Sequence, residues 1–200
     1  QPLAPKASRR SRDCLRAVQI VFQSPEQALN PRATVADAIG RPLAFYFGMS
    51  RSDRKTRIAE LLDMVGLPAS YAAKYPKEMS GGQRQRVAIA RALAANPSVI
   101  LCDEFLSALD TIVAAQIVEL MRSLRDRLGT AYVFISHDLA TVADIADRVA
   151  VMQNGRIVEL AEIGHVFGER RHEYTAELIR SVPELRPGWL ESVLAQNASA

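Results

Sequence analysis

The sequence predicts an α/β protein in which helices flank a parallel sheet. Short apolar stretches that predict strands recur at residues 17–22, 99–102, 131–135 and 149–152. Helix-length segments separate the later ones, and strands joined by helical crossovers run parallel, with both faces of the sheet covered. The 200 residues, of which 48% are apolar, suffice for one domain with a sizeable core.

The first half of the chain is predicted to be mostly helical, because residues that begin and end helices bracket its apolar periodicity. Its predicted elements are loosely ordered residues 1–16, a strand at 17–22, a turn at 23–25, a helix that begins over Thr34 to Gly40 with Thr34 as its cap, a helix capped by Ser52 or Asp53 and ended by Gly66, and a helix over about 82–95 capped by Ser80.

The second half alternates predicted strands and helices. Its predicted elements are strand 99–102, helix 111–128, strand 131–135, helix 139–146, strand 149–152, and a terminal helix with a Pro-punctuated tail over 171–190. Asn154-Gly155 followed by Ile157-Val158-Glu159 predicts a tight turn and a small hairpin.

Composition excludes several classes of protein. A net charge of +3 is too small to indicate a nucleic-acid partner. Two unspaced cysteines, Cys14 and Cys102, fit neither a disulfide framework nor a metal site, so a reducing cytosol is expected. No apolar stretch approaches the roughly 20 residues that span a bilayer, and no signal peptide is visible. Membrane association is therefore expected only through another protein.

The segment Ser80-Gly81-Gly82-Gln83 predicts an anion site at the start of a helix. Two glycines let backbone N–H groups approach an anion, the helix presents its positive end, and the Ser80 hydroxyl adds a donor. The alternative is that Ser80 is only a helix cap and the glycines only a turn.

Asp103 and Glu104 follow the apolar strand Val99–Cys102. Carboxylates at that position are suited to holding a metal ion and activating water. The alternative is an Asp that caps the next element, which is a common use of that residue.

The stretch from Met79 to Leu93 resembles the signature motif of ATP-binding cassette (ABC) ATPases almost letter for letter. The resemblance implies a P-loop NTPase-like parallel sheet, with ATP and Mg²⁺ as cofactors. It also implies a partial ATPase domain over 1–170, a helical signature subdomain at about 30–95 within it, and a C-terminal importer-type extension over 171–200.

The same resemblance implies roles for individual residues. Asp103 would hold the Mg²⁺ shell, and Glu104 would polarise the attacking water. Gln23, in Val-Phe-Gln-Ser-Pro, corresponds to the glutamine that reaches Mg²⁺ and the water. Asp110 lies in the family's D-loop, which contacts the partner subunit. His137 resembles the switch histidine that contacts the γ-phosphate.

Outside that context, Gln23 would be an ordinary turn residue, and a lone histidine such as His137 is more often structural. The resemblance also implies that residues 80–83 contact the ATP held by a partner subunit. His165 and His172 have no comparable context and are expected at the surface.

The resemblance narrows to importers of oligopeptides, dipeptides or nickel. Leu29-Asn30-Pro31-Arg32 is characteristic of that subfamily, and Tyr174-Thr175 with Ser181-Val182-Pro183 is similar to its C-terminal element. The implied partners are a second ATPase subunit in a head-to-tail dimer, transmembrane permease subunits and, indirectly, a solute-binding protein. The implied location is cytoplasmic, peripheral on the inner face of the cell membrane.

Two departures from the family pattern stand out. None of the ten glycines is followed by Lys, so the 200 residues contain no phosphate-binding P-loop. We therefore expect a truncated chain with an unpaired sheet edge, beside the strand leading to His137, and little ATPase activity on its own. Phe105-Leu106 also replaces the usual Pro-Thr, which leaves the geometry of that loop open.

Three interpretations stay open at this point. The chain is the C-terminal portion of an importer ATPase, a non-catalytic truncated fragment that only docks to partners, or a soluble ABC ATPase of translation or DNA repair. The segment around Gln23 and the C-terminal resemblance argue against the third.

Overall fold

The structure is a computed structural model that describes residues 6, 9–166, 168 and 171–181, apart from the side chains of residues 26 and 27. It divides into two compact units, Gln1–Ile135 and Ser136–Ala200. Along the part of the chain that is described, no helix is both long and apolar enough to cross a membrane.

The first unit contains a three-stranded sheet and most of the helices. Its elements are α1 (Arg12–Ala17), β1 (Val18–Val21), α2 (Pro25–Ala28), α3 (Val35–Phe47), α4 (Arg51–Met64), two 3₁₀ turns (Ala69–Ala73 and Pro76–Glu78), α5 (Gly81–Leu93), β2 (Val99–Asp103), α6 (Thr111–Leu128) and β3 (Ala131–Ile135).

The second unit contains a hairpin and short helices. Its elements are α7 (Leu139–Ile145), β4 (Arg148–Gln153), β5 (Arg156–Glu162), α8 (Ile163–Val166) and α9 (Glu173–Arg180). From residue 182 onward, the predicted C-terminal extension, including Val182-Pro183, lies outside the described residues. The predicted division into domains stays a prediction.

The sheet of the first unit is parallel, in the order β1-β2-β3, which confirms the predicted fold class. Val99 of β2 pairs with Val18 of β1 on one side and with Ala131 of β3 on the other. β2 is central, and β3 has one strand neighbour in the described part of the chain. Val133 and Ile135 of β3, which share one face of the strand, are 48% and 52% exposed, so that face of β3 is only partly covered.

The predicted strand at 149–152 exists as β4, and the small hairpin predicted through Asn154-Gly155 is confirmed, but the implied membership of β4 in the parallel sheet is wrong. β4 pairs antiparallel with β5 in a separate two-stranded sheet. The turn residues Asn154 and Gly155 have φ angles of 50° and 76°, and two left-handed residues suit a two-residue hairpin turn. The short turn makes the local antiparallel pairing geometrically direct.

Two predictions about the helices were wrong, and a third helix extends beyond the segment that predicted its start. Residues 12–16, predicted to be loose, belong to α1, whose N-cap Ser11 accepts a hydrogen bond from the Cys14 N–H. The helix starting at Thr34 continues through Pro42 to Phe47, because Val35, Ile39 and Leu43 bury one face of it. Ser50, rather than Ser52 or Asp53, caps α4.

Candidate functional site

The start of α5 is closed by a reciprocal pair of hydrogen bonds. The Gln83 N–H donates to Ser80 Oγ at 3.3 Å, and the Ser80 N–H donates to Gln83 Oε1 at 3.1 Å. The Gln83 amide nitrogen also donates to the Tyr71 hydroxyl at 3.1 Å. This capping box holds the turn in one geometry and leaves the N–H groups of Gly81 and Gly82 as the unused donors of the first turn.

The two glycines pack against the segment around Asp110. A Cβ at Gly82 would lie 2.5 Å from Val113 Cγ1, whereas one at Gly81 would lie 3.6 Å from Leu109 Cδ2. Asp110 is the N-cap of α6, and its Oδ1 accepts from the Val113 N–H at 3.0 Å. The structure therefore brings the segment that carries Asp110 against the Ser80–Gln83 turn.

The acidic pair lies at the end of the central strand. Asp103 is the last residue of β2, and Glu104 follows with a φ of 42°, in the left-handed region that few residues other than glycine adopt. The Glu104 N–H donates to the Ile135 carbonyl at 2.9 Å, which anchors this backbone to the end of β3. The Ser107 hydroxyl donates to the Glu104 carbonyl at 2.8 Å.

Gln23 lies next to this acidic pair. Its amide nitrogen donates to Glu104 Oε2 at 3.0 Å and contacts Ser107 Oγ at 3.2 Å. Gln23 and Glu104 are 81 residues apart in the sequence. Because β1 and β2 are parallel neighbours, the loops after their carboxyl ends meet at one edge of the sheet.

Phe105 gives the loop after Glu104 an apolar anchor. Its side chain is 4% exposed and stacks on Phe134 of β3, with ring centroids 5.5 Å apart. Phe134 in turn stacks on Tyr132 at 5.7 Å. The residue that departs from the family pattern is thus part of the core, and aromatic packing replaces the rigidity that a proline would supply.

Two side chains of the neighbouring strands, Cys102 and Tyr132, have raised pKa values. Burial raises the pKa of the Cys102 thiol to about 12, and burial is also the main cause that raises the pKa of Tyr132 to about 12. Neither group supplies a charge at neutral pH. No group of three His, Cys, Asp or Glu residues within the described ranges is placed to hold a metal ion.

His137 belongs to the second unit, where it is exposed just before α7. Its neighbour Asp138 caps that helix by accepting from the Ala140 N–H at 3.0 Å. The Thr141 hydroxyl, as the main cause, lowers the pKa of Asp138. The role of His137 stays a prediction, as do those of the other site residues. His165 and His172 are exposed, as expected.

Sequence patterns missed three residues that support these segments. Tyr71 holds Gln83, Ser107 holds Gln23, and Phe134 packs on Phe105. Only Ser107, three residues after Glu104, carried a local signal, since a hydroxyl at that spacing often closes a turn on the backbone.

A model of the ABC transporter family matches residues 3–107. A peptide import ATP-binding protein of Brucella abortus (strain 2308) is 47% identical over 180 residues, which are 90% of this chain and 54% of that protein. The glutathione import ATP-binding protein GsiA of Escherichia coli (strain K12) is 47% identical over 172 residues, 86% of this chain and 28% of that protein.

The oligopeptide transport ATP-binding protein OppD of Mycobacterium tuberculosis (strain H37Rv) is 45% identical over 176 residues, 88% of this chain and 29% of that protein. The chain thus spans about half the length of its Brucella relative and less than a third of the other two.

Among solved structures, a dimeric post-hydrolysis state of the ATP-binding cassette MJ0796 bound to ADP and Pi is similar, with a TM-score of 0.63 and 33% identity. The match covers 74% of this chain and 65% of that one.

Proposed function

The chain belongs to the ABC transporter family, and from that premise we propose that it is part of the ATP-hydrolysing subunit of an importer for peptides or nickel. The relatives named above for peptide, glutathione and oligopeptide import support a peptide-like solute. The observation that carries the proposal is the contact between Gln23 and Glu104, which joins two predicted catalytic residues 81 positions apart.

The Ser80–Gln83 turn fits a phosphate group. The capping box uses the N–H groups of Ser80 and Gln83, so the N–H groups of Gly81 and Gly82 stay available along the axis of α5. The helix dipole favours an anion there. Since the similar ATP-binding cassette MJ0796 has a dimeric structure bound to ADP and Pi, we propose that this turn contacts a nucleotide held by a second subunit in a head-to-tail dimer.

The edge of the sheet supplies the residues for hydrolysis. Glu104 would accept the proton of the attacking water, and Gln23 would fix the direction of that carboxylate through its amide. Asp103 and Gln23 would provide oxygen ligands for Mg²⁺. His137 would donate a hydrogen bond to the terminal phosphate. Mg²⁺–ATP, when bound, supplies the phosphoanhydride whose hydrolysis drives transport.

The remaining partners in this proposal are transmembrane permease subunits, contacted from the cytoplasmic face of the membrane, and a solute-binding protein that acts through them. The 200 residues contain no Gly-Lys pair. We therefore expect the isolated chain to turn over ATP far more slowly than a complete family member, because no lysine of a P-loop is present to hold the β- and γ-phosphates.

Association with a P-loop-bearing ABC ATPase subunit tests the proposal. Size-exclusion chromatography should show a complex that forms only with ATP and Mg²⁺. Ser80→Arg should abolish this complex, because the bulky arginine side chain replaces the capping hydroxyl and disrupts the turn that faces the nucleotide. Ser52→Arg makes the same change at an exposed position of α4 and should leave it intact.

Two results would contradict the proposal. One is ATP turnover by the isolated chain at the rate of a complete ABC ATPase. The other is ATP-dependent association that Ser80→Arg and Ser52→Arg affect equally.

A further inference from the structure

A cleft of about 630 Å³ lies between α3 and α4, and none of the residues given roles above lines it. Small residues keep it open: Ala33, Ala36 and Gly40 line it on the α3 side, and Ala72 lines it from the 3₁₀ turn. A Cβ at Gly40 would lie 3.4 Å from Ile58 Cδ1, so the helices already approach closely below the cleft.

Five cationic side chains line this cleft from three parts of the first unit. Arg32 precedes α3, Arg41 lies in α3, and Arg51, Arg54 and Lys55 lie in the first turns of α4. The whole chain carries a net charge of only +3. The cleft therefore concentrates positive charge well beyond the average of the surface.

The lining contains a single carboxylate, Asp37, beside five cations. Asp37 Oδ2 accepts hydrogen bonds from the Thr34 hydroxyl at 2.7 Å and from the Thr34 N–H at 3.0 Å, and these bonds lower its pKa. Within the described residues, no ion pair joins any of the five cationic side chains to a carboxylate. Asp37 also interacts with the charge of Arg41, so one carboxylate offsets part of the charge of five cations and the lining keeps an excess of positive charge.

The spacing of the cations in α4 adds a free-energy cost. Arg51, Arg54 and Lys55 stand at positions i, i+3 and i+4, where like charges on one helix face repel each other. Cations near a helix N-terminus are also unfavourable with respect to the helix dipole. An anion in the cleft would relieve both penalties and would stabilise the folded chain.

We propose that this cleft binds a compact, multiply charged phosphate anion free in solution. Four of the five cations are arginines, whose planar guanidinium groups match phosphate oxygens in pairs. A concave cleft suits a small solute better than the flat surface of a bilayer. An acidic peptide spreads its charges over about 3.3–3.6 Å per residue, whereas these cations converge on one cavity.

Isothermal titration of the full 200-residue chain with inorganic tripolyphosphate tests the proposal. We expect one site per chain, with an affinity that falls as salt is added. Arg54→Gln should weaken binding at least about tenfold, the loss expected for one charge-assisted hydrogen bond. If Arg54→Gln lowers the thermal midpoint of the chain, Arg51→Gln serves as the second variant, because Arg51 is exposed. It should also weaken tripolyphosphate binding.

The matched control is Arg57→Gln, which makes the same change of charge in the same helix. Arg57 does not line the cleft and pairs with Glu60 at 2.7 Å, so its replacement should leave binding unchanged. Ser80→Ala should also leave it unchanged, which separates this cleft from the proposed nucleotide contact at the start of α5.

Several outcomes would overturn the proposal. Absence of tripolyphosphate binding would do so. Equal weakening of binding by Arg54→Gln and Arg57→Gln would also do so, because it indicates only a diffuse electrostatic attraction of the anion to the surface. Loss of binding in Ser80→Ala would assign the phosphate to the Ser80–Gln83 turn. Tighter binding of a hexaglutamate peptide would favour an acidic protein segment. Tighter binding of phosphatidylglycerol vesicles would favour a membrane surface.

Discussion

The Gln23 amide nitrogen lies 3.0 Å from Glu104 Oε2, so one hydrogen bond joins the loops that follow two neighbouring parallel strands. A carboxylate with a fixed direction is better placed to accept a proton from a bound water than one that rotates freely. The bond is therefore a geometric precondition for the role proposed for Glu104.

The strength of this bond is measurable in the chain itself. Gln23→Ala, Glu104→Ala and the double variant form a cycle whose coupling free energy we expect to be about 0.5–1 kcal/mol in urea unfolding, since the pair is partly exposed to water. Gln23→Ala combined with Asp53→Ala, an exposed residue of α4, should be additive. Additivity in the first cycle would show that the contact does not persist in solution.

Gly82 fixes how closely α5 approaches α6. Gly82→Ala should lower the free energy of unfolding by about 1–3 kcal/mol, because its Cβ would lie 2.5 Å from Val113 Cγ1. Gly81→Ala is the matched control and should be tolerated, because its Cβ would lie in ordinary contact at 3.6 Å from Leu109.

Val113→Ala should restore part of the stability lost in Gly82→Ala by removing the clashing methyl groups. Chemical denaturation measures the free energy of unfolding of four chains: the unmodified chain, Gly81→Ala, Gly82→Ala, and Gly82→Ala combined with Val113→Ala. Equal costs at Gly81 and Gly82, or no recovery in the double variant, would argue that the close approach to Val113 is not what requires glycine.

The sequence predicted best where local signals agree. The bounds of α6 and β3 were predicted correctly, because Asp110 caps the helix and Gly129 ends it directly before the strand. The hairpin of β4 and β5 was predicted correctly from its Asn154-Gly155 turn, whereas the alternation of strands and helices wrongly implied that β4 joins the parallel sheet. The start of α3 at Thr34 was predicted correctly, whereas its extension through Pro42 to Phe47 depends on burial of its apolar face.

The residues of the candidate site are predictions from motifs, whereas the contacts between them depend on the fold. The positions of Gln23 and Glu104 follow from motifs, whereas their hydrogen bond depends on the register of two strands. Tyr71 and Phe134 were missed because an aromatic residue in a sequence is compatible with many packing partners. What holds a motif in place is thus less visible in the sequence than the motif itself.

Glu159 links β5 to the helix α9, and this link should depend on pH. The Thr175 hydroxyl, as the main cause, lowers the pKa of Glu159 by donating to its carboxylate, and the His172 N–H also donates, at 3.1 Å. A lowered pKa means that the ionised carboxylate stabilises the folded state at pH values above the ordinary pKa of a glutamate. That stabilisation is lost as pH falls through the lowered pKa.

Thr175→Val keeps the shape of this buried side chain but removes the donor. Its thermal midpoint, followed by circular dichroism, should lie below that of the unmodified chain at pH 7, and the difference should shrink at pH values below about 4. In a Glu159→Gln background the effect of Thr175→Val should not vary with pH, which controls for titration of nearby histidines. A difference that stays constant with pH in the unmodified background would contradict the mechanism.

Gln85 is a polar side chain inside the apolar face of α5. It is 0% exposed, and neither its amide nitrogen nor its amide oxygen has a hydrogen-bond partner among the described residues. Burying an amide without partners costs free energy that an apolar side chain of similar length does not. Gln85→Met should therefore raise the free energy of unfolding by about 1–3 kcal/mol in urea denaturation.

Gln83→Met provides the contrast, since the Gln83 amide oxygen accepts the Ser80 N–H and its amide nitrogen donates to Tyr71. The same substitution two residues away should lower stability by about 1 kcal/mol, the usual contribution of such a cap. If Gln85→Met also lowers stability, the Gln85 amide has a partner in solution, such as a buried water, and the prediction is wrong.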